Sequence, residues 1–133
     1  MCAKQTSKPH NLRGGARLLA AFRNSKAGLR DIWISEEAFR LEVVIFILAC
    51  PIAFCIGSGP GQVALLIGSL MAVLIIEILN SALEAIVDRI GPEQHELSRI
   101  AKDLGSAAVL LTALFPATAW GLIFLNFLGF IEV

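Results

Sequence analysis

Glu77, Asn80, Ser81, Glu84 and Asp88 fall within roughly a third of one helix circumference, inside one of the most apolar stretches of the chain. The run from Val63 to Ile76 carries no charge and passes without a break into Glu77. Ionisable groups in a helix of bilayer length are costly, so their presence marks a functional site by default. Two carboxylates seven residues apart on one face can divide labour. The outer one, Glu84, could hold a hard cation with positions left open for phosphate oxygens. The inner one, Glu77, is partly desolvated and could serve as a general base. Asn80 lies one turn from both and can orient a carboxylate through its amide. On the next apolar run, Lys102 and Ser106 share a face, with Asp103 to one side. The compact ammonium of Lys102 suits phosphate. Glu36 and Glu37, just ahead of the first apolar run, add acids at the same membrane level. This set fits Mg²⁺-assisted phosphoryl transfer to an acceptor dissolved in the membrane, a reaction that depends on positioning and charge neutralisation. An ion- or proton-conducting subunit needs buried carboxylates too, and fits the residues equally well. The sequence carries no Walker A motif, Gly-rich kinase loop or His-Arg-Asp catalytic loop.

These side chains require a membrane-spanning scaffold. Of 133 residues, 56% are hydrophobic, and mean hydropathy is +0.75. A water-soluble domain holds roughly 45–50% apolar residues even with glycine counted. The expected organisation is a single all-α membrane domain over 1–133. An amphipathic surface helix over about 12–33 carries Leu18, Leu19, Phe22, Leu29, Ile32 and Trp33 on one side, with a break or bend near Gly28. Apolar spans follow at 38–57, 62–87 and 104–131, the first containing Pro51. An uncharged turn, Gly57-Ser58-Gly59-Pro60-Gly61, joins the first two. A charged connection over 88–103 joins the last two. Lys4, Lys8, Arg13, Arg17, Arg23, Lys26 and Arg30 all precede Asp31, the first acid. A basic arm of that kind reads as cytoplasmic, against an anionic membrane surface, and the Arg89, Arg99 and Lys102 connection then lies on the same side. Only Phe22 and Trp33 lie near the basic residues, so a nucleic-acid partner is not expected. The three cysteines suggest neither a disulfide nor a metal framework. Asp88 and Arg89 suit helix-end charges as well as ligands, Glu37 and Glu42 read as solvated, Ser81 as packing, and His95 as a loop residue rather than a metal ligand.

Glu77-x-x-Asn80-Ser81-x-x-Glu84-x-x-x-Asp88-Arg89, followed by Ala101-Lys102-Asp103-x-x-Ser106-Ala107-Ala108-Val109, resembles the prokaryotic diacylglycerol kinase family. Gly28-Leu29-Arg30-x-x-Trp33-Ile34-x-Glu36-x-Ala38-Phe39-Arg40 is similar to its Gram-negative branch, as is Glu93-x-His95-x-Leu97-Ser98. The likeness covers roughly residues 14–110. It implies a homotrimer of subunits, each with a surface helix and three transmembrane helices, in the bacterial cytoplasmic membrane with the N-terminus inside. The implied reaction is ATP-dependent phosphorylation of diacylglycerol to phosphatidic acid, with Mg²⁺ required. By matching position, Glu77 resembles the general base and Asn80 the residue supporting it. Glu84 and Glu36 resemble the metal-binding carboxylates at the ATP site, Lys102 the lysine on the ATP phosphates, and Asp103 a nucleotide-site partner. Arg17 aligns with a surface-helix arginine near the nucleotide, and Ser106 with a supporting or packing position. Undecaprenol kinase shares these motifs and is the nearest alternative; an ion-translocating subunit is the alternative from another class.

Overall fold

The computed structural model describes residues 14–91 and 95–132. The N-terminal tail with Lys4, Lys8 and Arg13, and Glu93 in the motif around His95, lie outside the described residues. Four helices follow in order: α1 (Gly15–Ser35), α2 (Glu37–Ile56), α3 (Pro60–Ile90) and α4 (Glu96–Phe127). No strand occurs among the described residues, and α2, α3 and α4 are each long and apolar enough to cross a membrane.

Of the break or bend expected near Gly28, a break does not occur: α1 runs without interruption through that residue. One glycine costs a helix about 1 kcal/mol relative to alanine, which neighbouring Leu, Ala, Arg and Lys residues offset. The apolar side chains Leu18, Leu19, Phe22 and Leu29 remain exposed, as suits a helix resting on lipid. Glu36 alone separates α1 from α2, with extended backbone (φ −106°, ψ 115°). No basic residue lies in the last turn of α1. Arg40, one turn into α2, reaches back instead, donating to the carbonyls of Trp33 at 3.0 Å and Ile34 at 3.3 Å. This cation at a helix C-terminus fixes the elbow on which Glu36 sits.

The 20 residues of α2 span about 30 Å, one hydrocarbon thickness. Pro51 lies inside the helix without ending it. The turn into α3 is short, and Pro60 occupies the first turn of α3, where its missing N–H costs nothing. At 31 and 32 residues, α3 and α4 are each about 15 Å longer than the hydrocarbon core is thick. The expected 88–103 connection is therefore helical up to Ile90 and again from Glu96. The charges there are compatible with helix because Arg99 bridges Glu96 and Asp103 along one face. Gly91 ends α3 at φ 151°, a conformation only glycine adopts readily. His95 caps α4, its Nδ1 accepting from the Leu97 N–H at 3.2 Å.

The α3–α4 pair is the main packing unit, with α2 laid chiefly on α3. At the glycine-turn end, Ala53, Ile56, Leu66 and Ile123 form a buried cluster flanked by Ile67 and Trp120. The Leu66 carbonyl there accepts from Trp120 Nε1 at 3.2 Å and from Ser69 Oγ at 2.8 Å. At the opposite end, Ile32, Phe39 and Leu74 pack together beside Val43, Phe46 and Ile78, tying the end of α1 to α2 and α3.

Candidate active site

Glu77 lies about 26 Å along α3 from Pro60, just short of a 30 Å hydrocarbon thickness, and Glu84 lies about 36 Å along, just past it. For a span that begins at Pro60 and runs along the bilayer normal, the two carboxylates would straddle the level at which acyl chains give way to headgroups, on the side opposite the glycine turn. Glu77 is 6% exposed, the one buried charged side chain among the described residues. Glu36 and Glu84 both lie near enough to act on it electrostatically, as does Glu42. Burial of one carboxylate among three others has no packing rationale, since a Met or Leu would fill the space at lower cost.

Asn80 lies between the two carboxylates along α3 and bonds the second of them. Its Nδ2 donates to Glu84 Oε1 at 3.1 Å, one turn along the helix. Its Oδ1 is buried and without a hydrogen-bond partner. Asn80 approaches α4 closely because Gly105, buried in that helix, has no side chain. One turn earlier on α4, Lys102 Nζ pairs with Asp88 Oδ1 at 2.5 Å, closing the headgroup-side end of the α3–α4 seam. The Glu36 carboxylate makes no capping bond to α2, which leaves it available at the elbow.

Glu77, Asn80, Glu84 and Glu36 thus come together within one chain, with Lys102 at their rim. Other sequence-selected residues do not join them. Asp103 is exposed and held by Arg99. Ser106 is exposed beside Gly105. Arg17 is exposed on α1, about 22 Å along that helix from Ile32, where α1 meets the bundle. Glu42, expected to be solvated, is half-buried: its Oε2 is buried without a hydrogen-bond partner, and the residue is near enough to Glu77 to act on it electrostatically. The signal was available in its spacing, because Glu42 lies three residues after buried Phe39 and four before Phe46 on the inward face of α2. Gly105 was also missed, and the only sign of it is its place between Lys102 and Ser106 on the motif face.

Among the described residues no group of three or more His, Cys, Asp or Glu side chains forms a ready-made metal cage. Mg²⁺ seldom uses one; it is commonly held by one or two carboxylates, with waters and substrate phosphates completing the shell. Glu36 and Glu84, contributed by different elements and both close to Glu77, fit that requirement.

A family model described as "Prokaryotic diacylglycerol kinase" matches residues 23–124, which include every residue of this cluster. The diacylglycerol kinase of Escherichia coli strain K12 is 47% identical over 120 residues, covering 90% of this chain and 98% of that one. That of Pseudomonas aeruginosa strain PAO1 is 40% identical over 113 residues, with 85% and 92% covered. That of Helicobacter pylori strain 26695 is 35% identical over 113 residues, with 85% and 88% covered. An acid cluster around buried Glu77, on a scaffold of four helices of which three are long and apolar enough to cross a membrane, and likeness along nearly the whole length lead to one conclusion: the chain belongs to the prokaryotic diacylglycerol kinase family.

Proposed function

We propose that this chain transfers the γ-phosphoryl group of ATP to the primary hydroxyl of diacylglycerol, yielding phosphatidic acid and ADP. The observation that carries this reading is buried Glu77, set two turns before Glu84, which Asn80 holds, at the level of α3 far from the glycine turn. A lipid hydroxyl reaches that level from the bilayer and a nucleotide reaches it from water. Glu77 accepts the hydroxyl proton as the lipid oxygen forms its bond to the γ-phosphorus and the bond to the β-bridging oxygen breaks. Asn80 holds Glu84 and, through it, the electrostatic setting of Glu77. Mg²⁺ bound by Glu84 and Glu36 would neutralise charge on the phosphate oxygens. Lys102 leaves Asp88 to meet the phosphates. Asp103 and Arg17 serve the nucleotide, and Ser106 supports the α4 side.

The assembly is a homotrimer. Its support is the family resemblance together with the wide apolar surfaces that one chain leaves open on α2, α3 and α4. The distance of Arg17 from its own chain's cluster fits sites completed by neighbouring subunits. The membrane is the bacterial cytoplasmic membrane with the N-terminus inside, on the strength of the basic residues ahead of Asp31.

The test is incorporation of labelled γ-phosphate by the purified protein in vesicles containing diacylglycerol or undecaprenol. Labelled phosphatidic acid is the expected product. Label in undecaprenyl phosphate alone reassigns the acceptor. Absence of label in either lipid, with ion flux across the vesicle, replaces the kinase with a conducting subunit.

A further inference from the structure

The amide of Asn80 has two ends, and only one orientation serves Glu84. With its nitrogen toward Glu84, the amide donates to a carboxylate. Turned over, it would set an oxygen against an oxygen. What selects the orientation lies on the other side, where the amide oxygen rests over Gly105 of α4, buried and unpartnered. A methyl group on Gly105 would run into that oxygen. Its three nearest neighbours are side-chain atoms of Asn80 and Leu83, the latter at an ordinary 3.8 Å, so the fit is to a side chain and not to the backbone of α3. A carbonyl oxygen accepts weak Cα–H donation at such a place, whereas an NH₂ group would be left with two unmade hydrogen bonds.

We infer that Gly105 is a positioning residue for phosphoryl transfer: its missing side chain seats the Asn80 amide oxygen, so that the NH₂ faces Glu84 and fixes that carboxylate for a phosphate-bound cation. The inference rests on the reading of Glu84 as a metal ligand. Alanine is the better helix former, so a Gly105→Ala defect cannot come from helix propensity. Outer partners of metal ligands typically matter by 10- to 100-fold in affinity or activity.

The experiment uses the full chain in lipid vesicles. Mn²⁺ binding is followed by electron paramagnetic resonance in the presence of a non-hydrolysable ATP analogue, and the Mg²⁺ dependence of lipid phosphorylation is measured alongside. Gly105→Ala is expected to weaken Mn²⁺ binding about tenfold and to raise the Mg²⁺ requirement, with helical content and oligomer size unchanged. Adding Gly105→Ala to Asn80→Ala, where the obstructing atom is gone, is expected to change Mn²⁺ binding by less than about twofold. Wild-type Mn²⁺ binding by Gly105→Ala, or a double variant far weaker than Asn80→Ala, overturns the inference. If Gly105→Ala does not fold, the double variant decides: recovery of folded protein supports the fit, and continued failure shows that the glycine serves backbone spacing. Glu84→Gln separates the two layers of the reading. Loss of Mn²⁺ binding there with none in Gly105→Ala removes the Gly105 inference alone, while unchanged binding in Glu84→Gln removes the metal assignment and the inference together.

Discussion

In the proposed reaction Lys102 receives phosphate in competition with a carboxylate it already holds. Its Nζ lies 2.5 Å from Asp88 Oδ1, and the two side chains are 39% and 64% exposed. Asp88→Asn removes the competing charge and keeps the shape. Pairs this open to water shift an equilibrium by a factor of about 1.4 to 5. That factor is what ATP has to displace before its phosphates reach the ammonium. In Asp88→Asn, the KM for ATP should therefore fall by up to about fivefold, with kcat changed by less than about twofold. The gain should shrink as salt is raised, since solvent-exposed charges are screened. The assay is initial-rate phosphorylation in vesicles at saturating diacylglycerol, with ATP varied at low and high ionic strength. Lys102→Met, run in parallel, should raise the KM. A higher KM for ATP in Asp88→Asn, or a tenfold fall in kcat at saturating ATP, would refute the competition and make Asp88 itself a ligand.

Three further outcomes are expected. Glu77→Gln keeps the buried shape and removes the base, so kcat should drop by about 10²- to 10⁴-fold while helical content and oligomer size hold; near-normal turnover would eliminate Glu77 as the base. Glu84→Gln should raise the Mg²⁺ concentration for half-maximal rate by about tenfold or more, and an unchanged metal titration would argue against ligation. Arg40→Met uncaps α1 at a cost of about 1 kcal/mol, so amide exchange at Ile32–Glu36 should quicken about fivefold; unaltered exchange would mean that the elbow is held by packing alone.

Much of this site was legible in the sequence because its main face lies on one helix. Helical spacing groups Glu77, Asn80 and Glu84 without knowledge of tertiary structure, and apolar length fixes three spans. Glu42 escaped because a carboxylate near a span's beginning is ordinarily solvated; its burial depends on how closely α2 lies on α3. Gly105 escaped because a missing side chain matters only against a particular neighbour. Charge density suggested a connection between spans over 88–103, yet with the Glu96–Arg99–Asp103 ladder α4 already begins at Glu96. A break at Gly28, one of the two expectations there, would need more than the mild propensity cost of one glycine. Arg17 and Asp103 lie apart from the cluster because Arg17 sits near the far end of α1 and Asp103 is turned to Arg99.

The Trp120 and Ser69 bonds to the Leu66 carbonyl have a bearing on how such a protein can change. That node and its apolar cluster sit about 16 Å along α3 from Glu77, with an uncharged stretch of the helix between them. Robustness is invested at one pole and reactivity at the other. Substitutions that harden the distant pole can accumulate without disturbing the reacting groups, and lesions there should surface as lost heat tolerance before any kinetic signature. The molecule is modular along its long axis, although it comprises a single short chain.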